Sequence, residues 1–151
     1  MWYNRVTENL TELPDFLEHY RQELAQARVE TIVKGNIERN LAALPGVTEH
    51  RFNQLQTVEA VLNYCNIQQR AIKQKHYKKY LEGYGRALSS RDAERYADAE
   101  KEVIDMDLVI SEISLLRNRY LAIIKGLESK NYMLGHIARL RAAGLEDAII
   151  G

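Results

Sequence analysis

Apolar residues recur along this chain at alternating intervals of three and four. Leu10, Leu13, Leu17, Tyr20, Leu24, Ala27 and Thr31 form one such series, and Leu55, Val58, Leu62, Cys65, Gln69 and Ile72 form a second. A third runs through Met106, Val109, Ile113, Leu116, Tyr120, Ile123 and Leu127, with Leu134 and Ile137 beyond. An α-helix returns to the same face every 3.6 residues or about that, so each series marks one apolar stripe on a long helix. The heptad-like spacing asks for left-handed packing of such helices against one another. No segment alternates with period two for long enough to make a strand. The fold class this predicts is all-α: long helices in a helical hairpin, coiled-coil-like, with an amphipathic C-terminal helix.

Two stretches punctuate the pattern. "LPGVTEHR" (44–51) holds Pro-Gly, a strong turn signal, and then Thr48, which suits the N-cap of a following helix. "EGYGRALSSRD" (82–92) holds two glycines, then Ser-Ser and Asp92, again a cap-like start. These breaks divide a single helical domain, residues 1–151, into an N-terminal segment of about 1–44, a second helix over 48–82 and a third over 91–142. A hairpin of 49–82 against 92–142 leaves an apolar stripe on the third helix that one neighbour does not cover, and such chains commonly complete their cores by oligomerising. "NYMLGHIARLRAAGLEDAII" brings Met133, Leu134, Ile137 and Leu140 near one side and reads as a subunit-contact segment; the alternative is that it packs back onto its own hairpin.

Composition changes this picture little. With 46% hydrophobic and 28% charged residues the chain reads as an ordinary soluble protein, and its only prolines, Pro14 and Pro45, leave room for very long helices. No apolar run approaches the roughly 20 residues that span a bilayer, and "MWYNRVTENL" lacks the apolar region of a signal peptide. The single cysteine, Cys65, rules out an intrachain disulfide. An intracellular protein with no membrane partner is expected.

Charge is more informative, because a net charge of zero hides a sorting along the chain. From Arg70 to Arg91 there are seven basic residues against Glu82 alone; from Asp92 to Glu112 eight acids stand against Arg95 and Lys101. From Arg117 to Arg141 six of the seven charges are basic, Glu128 being the exception. Blocks of this kind mark faces with different partners, internal or external.

Catalytic chemistry finds no support in the sequence. His19, His50, His76 and His136 lie far apart, and none pairs with another histidine or with Cys65 at metal-ligand spacing. Cys65 falls on the apolar stripe, where a small core residue is expected rather than a nucleophile. Glu94, Asp98, Glu102 and Asp105 share one helical face, but the Glu-x-x-His pairs of a two-metal carboxylate site are absent. The stripe reads as a solvated or ion-paired face, and the chain as a non-enzyme without a cofactor.

One stretch remains to be explained. "KQKHYKKYLEGYGR" (73–86) packs five basic side chains, four rings and two glycines into the end of the second helix. Cations tracking phosphates and rings stacking on bases are the mixture that binds single-stranded nucleic acid. Folding the hairpin also brings Lys75 and Lys79 level with Ala99 and Arg95, within reach of Glu94, Asp98 and Glu102, so the basic block can equally be consumed by ion pairs.

The order of features adds a further pointer. "IKQKHYKKYLEGYG", then "DAERYADAEKEVIDMD", then "LVISEISLLRNRYLAIIKGLESKNYMLGHIARLRAAG" resembles the UvsY family of phage recombination mediators over about residues 70–145. The likeness rests on Tyr80 with Gly83-Tyr84-Gly85, on Val103 and Asp107, on Ser129-Lys130-Asn131-Tyr132, and on His136-Ile137 and Arg141-Ala142. It implies a non-enzymatic helical protein that assembles into a ring, binds single-stranded DNA, helps displace the single-strand-binding protein and loads a recombinase filament, in the cytoplasm of an infected bacterial host. The family's DNA-binding element, an apolar–Lys–x–Arg step, corresponds to Ile72, Lys73 and Lys75, shifted two residues relative to the glycines, with lysine in place of the planar guanidinium fork. Its assembly element corresponds to Tyr132–Arg141. The DNA-binding residues expected are Lys73, Lys75, Lys78 and Lys79 on phosphates, Tyr77 and Tyr84 stacking, and Arg86 and Arg91 in support. The competing expectation is a helical scaffold or assembly protein without nucleic-acid binding.

Overall fold

The computed structural model describes residues 1–83 and 88–144. Among them no strand occurs, and the order of elements is α1 (Trp2–Glu8), a single 3-10 turn (Leu10–Glu12), α2 (Leu13–Glu30), α3 (Ile37–Glu82), α4 (Ser90–Asp98) and α5 (Lys101–Ala142). At 1.5 Å per residue α3 is about 69 Å long and α5 about 63 Å. The two pack antiparallel as a hairpin, α2 lies along the hairpin's open end, and α4 covers α3 at its closed end.

The apolar stripes make the core. Leu13, Leu17, Tyr20, Leu24 and Ala27 of α2, Leu55, Val58, Leu62 and Cys65 of α3, and Ile113, Leu116, Tyr120, Ile123 and Leu127 of α5 are all buried. Phe16 and Val61 join them. Asn9 closes α1 and starts the next turn, its Oδ1 accepting from the Thr11 amide at 3.1 Å, and the Tyr64 hydroxyl donates to the Thr7 carbonyl at 3.1 Å to fasten α1 onto α3.

The first predicted break is not one. Pro45 and Gly46 lie inside α3, and Thr48, expected as an N-cap, is an interior residue. Pro45 offers no N–H to the Leu41 carbonyl and crowds it, at a cost of about 3 kcal/mol in an ordinary helix. Burial on both sides overrides that cost: Ile37 and Leu44 anchor the helix before the proline, Arg51 and Leu55 after it. The chain turns earlier, at 31–36, where Gly35 takes the left-handed φ of 79° and the Asn36 side chain caps α3 by accepting from the Arg39 amide at 2.9 Å. Thr31, on the first stripe by its spacing, ends α2 instead, its hydroxyl donating to the Arg28 carbonyl at 2.7 Å.

The third predicted helix is two. Ser89 caps α4 through the Asp92 amide, and the helix ends at Asp98; Glu100 then adopts an extended conformation as the N-cap of α5. Ala93 and Ala97, both buried, let α4 lie close against α3.

The open end is tied by polar contacts. The buried Arg51 guanidinium donates to both oxygens of Glu30, at 2.7 and 3.1 Å, and to Glu23 at 2.7 Å and Gln54 at 2.9 Å. The Tyr120 hydroxyl of α5 stands 3.2 Å from Gln54, which joins the third helix to this network. Lys130 donates to the Glu30 carbonyl at 2.8 Å, a cation on the C-terminal end of α2 where the helix dipole favours one.

The predicted subunit-contact residues divide between two faces. Leu134 is 1% exposed and Ile137 packs against the same core, so these two face their own hairpin, as the alternative reading had it. Met133 and Leu140 are exposed. A step of one residue turns about 100° around a helix, which separates Met133 from Leu134 although they adjoin in sequence.

Candidate nucleic-acid interface

The last turns of α3 carry the basic block against α4 and the start of α5. Three of its lysines meet acids. Lys73 lies 3.6 Å from Asp98, Lys75 3.0 Å from Glu102 and Lys79 3.5 Å from Glu100. His76, buried in the seam, has its Nε2 2.9 Å from Glu102 and its Nδ1 3.8 Å from Glu100. The Tyr80 hydroxyl donates to Glu100, while its ring stacks on Tyr96 with centroids 5.3 Å apart and receives the Lys79 ammonium at 5.3 Å.

These contacts set the local electrostatics. Hydrogen bonds from His76 and then Lys75 hold the Glu102 carboxyl below its ordinary range, and the Tyr80 hydroxyl, followed by the charges of Lys79 and His76, does the same for Glu100. Both acids are therefore firmly anionic at neutral pH, and each faces more than one donor.

The remaining predicted residues sit differently. Lys78 and Arg91 are exposed, and among the described residues they form no ion pair; the same holds for Arg70. Tyr77 is half-buried and lines a shallow cavity of about 490 Å³ with Arg70, Lys73, Gln74 and Asp98. Tyr84 and Arg86 lie outside the described residues. The structure thus brings Lys73, Lys75 and Lys79 together with acids, and leaves Lys78 and Arg91 open to solvent.

Sequence reasoning missed Glu100 and Arg51. On one continuous helix Glu100 points about 160° away from Glu102, across the axis; the break before α5 turns it back towards Tyr80. Arg51 falls seven residues after Leu44, on the buried stripe of α3, but only once the helix is known to run through Pro45. A buried cation there would have called for the acids that Glu23 and Glu30 supply.

Among the described residues no group of three or more His, Cys, Asp or Glu side chains is placed to hold a metal ion, and no helix is long and apolar enough to cross a membrane. Burial pushes the Cys65 thiol up to about 11, so it stays protonated at neutral pH. The chain matches no family model, no curated protein and no solved structure.

Proposed function

We propose that this chain is a non-enzymatic, homo-oligomeric protein that binds single-stranded DNA and promotes loading of a recombinase filament in place of single-strand-binding protein. The compartment and partners are those the UvsY resemblance implies: a recombinase and a single-strand-binding protein in the cytoplasm of a phage-infected bacterium. The observation that carries the reading is the exposure of the basic tip. Lys73, Lys75 and Lys79 are held by surface ion pairs, which contribute little and are screened by salt, and Lys79 also rests on the Tyr80 ring. A phosphate backbone is a multivalent competitor for the same ammonium groups, and Lys78 and Arg91 add cations that, among the described residues, no acid occupies. Tyr77 stands beside Lys73 where a base could stack.

The same ion pairs favour a second reading. A scaffold or assembly protein would have its basic block neutralised by its own acids, and three of the four lysines have such partners. Fluorescence anisotropy of a labelled single-stranded oligonucleotide, titrated at low and moderate salt with duplex as control, separates the two. Salt-sensitive binding that prefers single strands and is lost in Lys73→Ala/Lys75→Ala of unchanged oligomer size supports the mediator. Absence of binding at low salt by a well-folded assembly leaves the scaffold.

A further inference from the structure

Helix α5 carries a second apolar stripe that the fold leaves uncovered. Ile104, Leu108, Leu115, Ala122, Met133 and Leu140 fall within about 40° of one another at 100° per residue, and all are exposed, Leu108 by 62% and Leu115 by 52%. The core residues Ile113, Tyr120 and Leu127 lie on the other side of the same helix. The stripe therefore runs along the solvent side of α5, with only Ala122 bordering α2, across a groove from Leu24, Ala25 and Arg28. Large apolar groups repeating over such a distance on the solvent face need a partner.

The geometry points to a second copy of this chain, packed antiparallel along the stripe with Ala122 at the two-fold axis. Spacing supports this register. Ile104 and Leu140 lie equally far from Ala122 on either side, so each meets the other across the axis; Ser111 then meets Met133, and Leu115 meets Ser129. Large residues face large or small ones throughout, and Ala122 lets the helices approach at the crossing.

Charge selects the direction. The first part of α5 is acidic, with Asp105, Asp107 and Glu112 exposed, whereas Arg117, Arg119, Lys125, Arg139 and Arg141 make the second part basic. Antiparallel pairing brings Asp105 of one copy level with Arg139 of the other and within about one turn of Arg141, and Asp107 within about one turn of Arg139. Parallel pairing sets acids beside acids and bases beside bases, which like-charge repulsion opposes. Surface area agrees: the chain exposes 10018 Å², against about 7,900 Å² for an ordinary folded monomer of 17.5 kDa. A stable interface removes about 800 Å² from each partner, which this shape can spare. The inference rests on the homo-oligomer part of the function proposed above and not on DNA binding.

The test uses the full chain without DNA. Light scattering at high micromolar concentration is expected to give a mass of 35 kDa, about twice the 17.5 kDa chain, or an even multiple of the chain. Leu108→Glu/Leu115→Glu, both on the surface, is expected to halve it with an unchanged helical circular-dichroism spectrum. Cysteine cross-linking with a short bis-maleimide then fixes direction, since the native Cys65 is buried. Ala122→Cys should link copy to copy. Leu108→Cys alone should not, because the two copies of residue 108 lie about 42 Å apart, but it should link to His136→Cys when the two variants are mixed. A monomer, an assembly indifferent to the double substitution, or self-linking by Leu108→Cys would each overturn the proposal. Because no DNA is present, loss of DNA binding and loss of this interface register separately.

Discussion

His76 of α3 and Glu102 of α5 meet with the imidazole Nε2 2.9 Å from the carboxylate, at the point where the hairpin's closed end joins its core. The histidine is buried and the acid exposed, so one partner is fixed by packing while the other adapts. Glu102 also receives Lys75. Its carboxyl is held below the ordinary value of 4.5. A carboxylate depressed in the folded state stabilises it above its unfolded pKa, and that contribution is lost as pH falls through the folded pKa. The melting temperature is expected to drop on acidification from about pH 5 downwards, and Glu102→Gln is expected to lower it at neutral pH while flattening that acid dependence. An identical acid profile in the variant would show that the pair is not linked to folding.

The same acids restrain the basic tip. If phosphates compete with Asp98 and Glu102 for Lys73 and Lys75, Asp98→Asn/Glu102→Gln raises single-stranded DNA affinity and steepens its fall with salt, because two more cations are free to displace counterions. Anisotropy titrations at several salt concentrations read both quantities. Weaker or unchanged binding would count against a phosphate role for these lysines.

Arg51 is the most heavily bonded side chain in the core region. Arg51→Ala leaves Glu23 and Glu30 facing each other without their shared cation, and a loss of about 2–3 kcal/mol is expected in urea or thermal denaturation, less than for a fully buried pair because both acids reach water. Arg51→Lys should recover only part, since an ammonium cannot span Glu30 with two bonds and still reach Glu23.

Pro45 gives a test of opposite sign. In a turn a proline stiffens the unfolded chain and its removal tends to destabilise. Inside α3 the substitution Pro45→Ala restores a donor for the Leu41 carbonyl, and stability should rise by about 1–3 kcal/mol. Equilibrium denaturation decides between the two.

Gly126 and Gly135 lie on the same helix but differ in surroundings. A Cβ at Gly135 meets nothing within 4 Å, whereas one at Gly126 comes 3.0 Å from the Thr31 Cγ2. Gly135→Ala should stabilise by about 0.5–1 kcal/mol through helix propensity, and Gly126→Ala should forfeit that gain to the close contact. Thr31→Ser removes the obstructing methyl and keeps the hydroxyl on Arg28, so the double variant Thr31→Ser/Gly126→Ala should be more stable than the two single changes add up to.

How much of this was legible in the chain depends on the range of the physics involved. Spacing alone determined that Leu55, Val58 and Leu62, like Ile113, Tyr120 and Leu127, turn inward on long helices, because a helix presents the same face every few residues whatever packs on it. The sorted charges likewise put acids within reach of Lys75 but left pairing and polyanion binding equally open; the fold set Glu102 3.0 Å from it. Tertiary packing decided the rest. Pro45-Gly46 is a sound local turn signal, overruled by Leu44 and Leu55 being buried on either side of it. Glu100 reached Tyr80 only because the chain breaks between α4 and α5, a break that lets Ala93 and Ala97 settle on α3. Met133 and Leu134 are both apolar neighbours on one amphipathic segment; which of them is core and which is surface follows from where α2 and α3 lie. An apolar stripe records that a helix face avoids water, but the element that covers it is chosen by the three-dimensional arrangement of the others.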